Sequence, residues 1–184
     1  MSPIINLVYA LVFQVGWFVC IMAGNVAAFG YTVIFLICHF YVVLKSDKET
    51  NASKEIFWVI FISSFGLCIE IISFSIGLLR SDTLGISFSQ LSLPPLWLVF
   101  LWVMFSLALR TCLSFLFKKP IVSYLLCFVF VPINYYAGAK LNDDVSLTEP
   151  YFLNLALIAI MWILFLWCLT QLKRRYFEEL FNAS

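Results

Sequence analysis

The chain has 184 residues, of which 64% are hydrophobic and only 11% charged, with a mean hydropathy of +1.03. A soluble domain of this length has too small an interior to hide that much apolar surface. A net charge of +1 also offers no handle for nucleic acid or for an acidic macromolecular partner.

The apolar residues fall into six runs of transmembrane length. They predict an all-α bundle of six membrane-spanning helices forming one integral membrane domain over 1–184. The first helix is expected over 3–22, with Pro3 suited to a first helical turn. Its leading residues MSPIIN lack the positive stretch of a cleavable signal, so it is expected to be retained. Gly24 and Asn25 turn the chain into a second helix, 27–44. The hydrophilic loop KSDKETNASKE leads to the third, 54–80, and the semi-apolar connection SDTLGISFSQLSLPP is expected along the membrane interface. The fourth helix, 95–117, ends at a Lys118-Lys119-Pro120 turn; the fifth covers 120–140. An acidic loop, LNDDVSLTEP, precedes the sixth, 151–172, and the tail KRRYFEELFNAS is expected to extend it as a short amphipathic piece.

Lysine and arginine are distributed unequally between the two sides. One side would hold Lys45, Lys48, Lys54, Lys118, Lys119, Lys173, Arg174 and Arg175, and the other only Arg80 and Lys140. Cytoplasmic loops carry the excess of these residues, so both termini are expected in the cytoplasm. The sequons at Asn51 and Asn182 would then face the cytoplasm and carry no glycan. Three helices followed by three of opposite sense would suit an inverted repeat, but the halves share no persuasive residue match.

The third run holds the most informative pattern. Ser63, Gly66, Glu70, Ser73 and Gly77 recur at spacings of three and four, which puts them on one helical stripe against Phe, Ile, Val and Leu elsewhere. Lipid cannot satisfy such a stripe, so it is expected to face other helices. An ionisable residue within a span marks a site by default, which singles out Glu70. Other helices offer Asn6, Ala10, Gln14 and Trp17 on the first, Thr32 and His39 on the second, Ser106, Arg110 and Ser114 on the fourth, and Ser123, Cys127, Asn134 and Gly138 on the fifth. The sixth shows no comparable stripe and is expected at the periphery.

Glu70 and Arg110 read as the two charges deep within the spans. Side chains lean toward the N-terminus of their helix, so on antiparallel neighbours these two lean toward each other. A direct or water-bridged Glu70–Arg110 pair is the favoured arrangement; snorkelling of Arg110 to the headgroups is the competing one. For His39, the single histidine, a hydrogen-bonding core role outweighs ligation. No metal site is expected, because metal hydrolysis needs several such ligands. No cofactor is implied, and no GxSxG nucleophile elbow occurs. The six cysteines, one per apolar run and without CxxC spacing, read as packing residues. In PINYYAGAK, Pro132 can open the helical ladder beside Asn134, Tyr135 and Tyr136. An aromatic interfacial belt is the plainer account, and a polar pocket of Asn134 and Tyr135 beside Glu70 the functional one.

With NLVYALVFQVGWFVCIMAG, Glu70, LPPLWLVFLWVMFSLAL and PINYYAGAKL in this order, the chain resembles a bacterial family of small integral membrane proteins, domain-of-unknown-function family 2878. It departs from the family's pattern after Leu109, which makes Arg110 a local feature of this chain. The resemblance implies a multi-pass protein of the bacterial inner membrane, with neighbouring fatty-acid-modifying enzymes as candidate partners. The resulting expectation is an accessory or lipid-binding component of membrane fatty-acid metabolism. Its intramembrane polar site would comprise Glu70, Arg110, Asn134, Tyr135, Gln14 and His39, with membrane lipids as partners and homo-oligomerisation left open. The rivals are a small transporter or channel subunit using Glu70 as a proton or cation site, a lipid-modifying intramembrane enzyme, and a docking scaffold.

Overall fold

A computed structural model describes residues 3–46, 52–81, 87–88 and 91–177. The centre of the expected loop at 47–51, the asparagines of both sequons, much of the 81–95 connection and the end of the amphipathic tail lie outside the described residues. Among the described residues the protein is all-α, with six α-helices: α1 (Pro3–Met22), α2 (Gly24–Ser46), α3 (Ala52–Ser75), α4 (Leu96–Arg110), α5 (Pro120–Leu141) and α6 (Tyr151–Tyr176). Five of them are long and apolar enough to cross a membrane; α4, with 15 residues, is shorter.

The third and fourth helices end earlier than the sequence pattern suggests. Gly77 adopts φ +77°, and the Leu78 N–H reaches back to the Ser73 carbonyl (2.9 Å) while that of Gly77 reaches Phe74 (3.2 Å). This pair of bonds is a left-handed glycine stop, which hydropathy does not register. The chain then forms β1 (Leu79–Ser81), paired antiparallel with β4 (Val145–Leu147) in register Leu79 to Leu147, so that one end of α3 is tied to the loop after α5. A second small ribbon pairs β2 (Ser87–Phe88) with β3 (Leu91–Ser92). Beyond Arg110, Thr111 leaves helical geometry and a single 3-10 turn, Ser114–Phe117, carries the chain to α5. Leu116 and Phe117 are buried there. Non-helical backbone among apolar helices is tolerated where protein covers it and polar side chains satisfy it; the Ser123 hydroxyl supplies a donor to the Leu116 carbonyl at 2.7 Å.

The short α4 is the axis of the bundle. Trp97, Trp102, Met104, Ser106, Leu107, Ala108, Leu109 and Arg110 are all buried, and α1, α2 and α3 pack around it. A helix enclosed this way need not match the hydrocarbon thickness of about 30 Å, and at a rise of 1.5 Å per residue α4 spans only about 22 Å. Its first turn is capped from outside: the Asn25 side-chain oxygen, just after the positive-φ Gly24, accepts the Trp97 backbone N–H at 3.0 Å.

Two expectations about facing are corrected. On α1 the inward residues are Tyr9, Gly16, Cys20 and Ile21, whereas Ala10 and Gln14 are exposed. Hydrophobic helices give little amphipathic contrast, and here an aromatic and small residues decide the packing. Nor is α6 peripheral. Ile158, Ala159, Phe165, Leu166 and Leu169 are buried, and it packs along α5 and against α3. Without a polar stripe its inward face is set by aromatic interlocking, as in the stacked Trp102–Trp162 pair at 5.1 Å.

Close packing of α3 on α4 depends on Gly66. A Cβ at that position would lie 2.1–2.3 Å from ring atoms of Trp102. Since the indole is itself stacked on Trp162, it has little room to give. Gly66→Ala should therefore destabilise the bundle by about 2 kcal/mol or more, read as a lowered unfolding temperature of the detergent-purified protein. Unchanged unfolding would count against this packing.

Candidate functional site

Two polar centres lie at opposite ends of α3. Glu55 and Glu70 are 15 residues apart, about 22 Å along a helix, and both are buried, at 0% and 1% exposure.

At the first centre the Arg110 Nε donates to Glu55 Oε1 at 2.8 Å. His39 Nε2 lies 3.9 Å from Glu55 Oε2, and His39 Nδ1 is 3.1 Å from the Tyr9 hydroxyl. Residues from α1, α2, α3 and α4 thus meet around one carboxylate. This corrects the expected Glu70–Arg110 pair: Arg110 is paired, but with Glu55. It also corrects the reading of Glu70 and Arg110 as the two deep charges. The reason is geometric. Glu55 belongs by sequence to a hydrophilic loop, yet the folded end of the bundle, including Phe117 and Phe177 packed on Trp58, covers the first turn of α3. The signal was present, because extending the three-and-four stripe backward from Ser63 through Val59 lands on Glu55.

At the second centre Glu70 is held by aromatic donors. The Tyr135 hydroxyl of α5 donates to Glu70 Oε1, and the Trp102 indole of α4 donates to the same oxygen at 3.2 Å. Trp162 of α6 donates in turn to the Tyr135 oxygen at 3.0 Å. Four helices therefore converge on this carboxyl. Its second oxygen, Oε2, is buried without a hydrogen-bond partner among the described residues. Trp102 and Trp162 were not among the site residues read from sequence; the general need of a buried indole N–H for a partner could have flagged them.

Glu70 forms part of the wall of a cavity of about 360 Å³. Phe13, Trp17 and Ile21 of α1 face Leu126, Val131 and Gly138 of α5 across it, with Trp97, Leu101 and Phe105 of α4 as its floor. α1 and α5 touch each other little, which leaves the cleft between them. Gln14 lines this cleft but is exposed, and Asn134 lines it while donating its amide to the Phe130 carbonyl of its own helix at 2.9 Å. The six residues singled out from sequence thus divide. Glu70, Tyr135, Asn134 and Gln14 border one cavity, whereas His39 and Arg110 belong to the other centre. Among the described residues no group of three His, Cys, Asp or Glu side chains could hold a metal ion.

The Arg110–Glu55 pair makes a double-substitution test. Removing one partner strands a buried charge, while replacing both by apolar residues does not. Glu55→Leu and Arg110→Met alone should each cost about 3 kcal/mol or more of stability, and the combined variant less than the sum, measured by thermal or denaturant unfolding in detergent. Additive losses would refute the pairing.

No curated protein and no solved structure matches the chain. Residues 6–168, nearly the whole of it, match the family described as "Protein of unknown function (DUF2878)". With five helices of spanning length and a sixth enclosed by them, the chain is a multi-pass membrane protein, and it belongs to that family.

Proposed function

We propose that this protein binds the apolar chain of a membrane amphiphile in the cleft between α1 and α5, with the polar end of that molecule against Glu70. The observation that carries the reading is the combination of an aromatic and aliphatic cavity with one buried carboxyl oxygen left without a partner. Ligand sites have this character in general: mostly apolar walls with a few convergent polar groups that fix orientation. An acyl chain can enter such a cleft sideways from the bilayer. A buried oxygen with no partner is costly, and a ligand that donates to it removes that cost.

A role in handling membrane lipid follows, with the cavity as a binding rather than a catalytic site. We place the protein in the bacterial inner membrane with both termini cytoplasmic. Support comes from the basic residues Lys118, Lys119, Lys173, Arg174 and Arg175, against Arg80 and Lys140 near the β1–β4 end.

A phospholipid carrying a diazirine in its acyl chain, reconstituted with the protein in nanodiscs, tests the reading. Irradiation should label peptides of α1 and α5 that line the cleft. Gly138 lines it with only Ile21 in contact range of a new Cβ, at 3.5 Å, so Gly138→Phe should fill the space. Cleft labelling should fall at least fivefold in that variant while labelling at outward positions such as Phe128 persists. Equal cleft labelling in both proteins would dispose of the proposal.

A further inference from the structure

Resting on that reading of the cleft, we infer that its ligand is a cationic amphiphile, an ammonium group on an apolar chain, whose charge sits between Glu70 and the tryptophans of the cavity.

Three observations point to a cation. Glu70 Oε1 already accepts two hydrogen bonds, from Tyr135 and Trp102, and Oε2 is left facing no donor, so a cation placed against Oε2 would stabilise the ionised carboxylate that burial alone disfavours. Among the described residues no Lys, Arg or His lines the cavity, so the protein supplies no counter-charge there; Arg110 is engaged by Glu55 instead. Finally, Trp17, Trp97 and Trp162 border the same space, while Trp102, packed between Gly66 and Trp162, contributes its N–H to Glu70. Indole faces attract cations, and aromatic enclosures are the usual means of recognising ammonium groups away from water. A carboxylate-headed lipid would place like charges together. A neutral hydroxyl could reach Oε2, and the Trp97 indole N–H, unpartnered among the described residues, could donate to a hydroxyl oxygen, but the hydroxyl would gain no cation–π attraction from the ring faces.

The ammonium has two sources, the head of an ethanolamine phospholipid or a free single-chain amine. Among the described residues no basic side chain lines the cavity, which disfavours a phosphate beside the ammonium and so favours the free amine.

The test compares hexadecylamine, hexadecanol and hexadecanoate at pH 7 on the full-length protein in detergent, by displacement of a fluorescent acyl probe. The amine should bind at least about tenfold more tightly than the alcohol, since charge-assisted and cation–π contacts add to the shared chain contacts. Glu70→Gln keeps an acceptor for Tyr135 and Trp102 and should bring amine and alcohol to within about twofold. Trp97→Leu removes wall area shared by both ligands and should weaken the amine at least about threefold more than it weakens the alcohol. If the three heads bind alike, or the acid binds best, the cation inference is overturned while the cleft reading stands. Failure of all three to displace the probe would overturn both. Should either variant misfold, the other decides: an undiminished preference for amine in the folded variant refutes the inference. In a second arm, co-purified lipid is compared from nanodiscs of ethanolamine and glycerol phospholipids. Glu70-dependent enrichment of the ethanolamine lipid assigns the ammonium to a headgroup; its absence alongside tight hexadecylamine binding assigns it to a free amine.

Discussion

A carboxyl group buried among apolar helices must find donors on its neighbours, and in this protein that requirement organises the packing around Glu70. The donors are large and rigid, an indole and a phenol, so they fix distances between helices as well as satisfy an oxygen. Trp102 reaches Glu70 because Gly66, one turn earlier on the same face of α3, lets the indole lie flat against the helix backbone. Tyr135 is held in turn by Trp162. Between helices in lipid the hydrophobic effect supplies no net attraction, so close packing at small residues and interhelical hydrogen bonds hold the bundle. Both are concentrated here.

The second polar centre solves the same problem differently. Arg110 terminates α4 and would leave a guanidinium enclosed by protein; Glu55 provides the opposite charge, and His39 and Tyr9 extend the network to α1 and α2. Its components come from four helices, which suits a role in fixing their register. The contrast between the two carboxylates is informative. Glu55 has a cation beside it, and Glu70 has aromatic donors, an unfilled oxygen and open space. Only the second has the character of a binding site, and the proposed occupants follow from that difference.

The short α4 shows how a bundle can hold a helix that does not itself span a bilayer. With α1, α2 and α3 packed around α4, the 3-10 turn that follows Arg110 packs against α5, where Ser123 satisfies the Leu116 carbonyl. The same enclosure leaves α1 and α5 apart on one side, which creates the cleft. Site and fold therefore share one cause, a central helix shorter than its neighbours.

The number of helices and most of their boundaries were legible in the chain because apolar length is a local property: α1 and α5 begin and end within a residue of the hydropathy pattern. The inward stripe of Ser63, Gly66, Glu70 and Ser73 was equally legible, since its spacing repeats the helical turn. Partners were not. Choosing Glu55 over Glu70 for Arg110 depends on the depth at which α4 ends, and that is set by the chain's turn at Thr111 and the packing of Phe117 and Phe177 over Trp58. The enlistment of Trp102 and Trp162, and the inward turn of α6, likewise depend on how rings from distant helices interlock. Sequence determined which segments become helices and where polarity would be costly; only the tertiary structure decided which groups relieve that cost, because partner choice depends on distances between elements that no local pattern encodes.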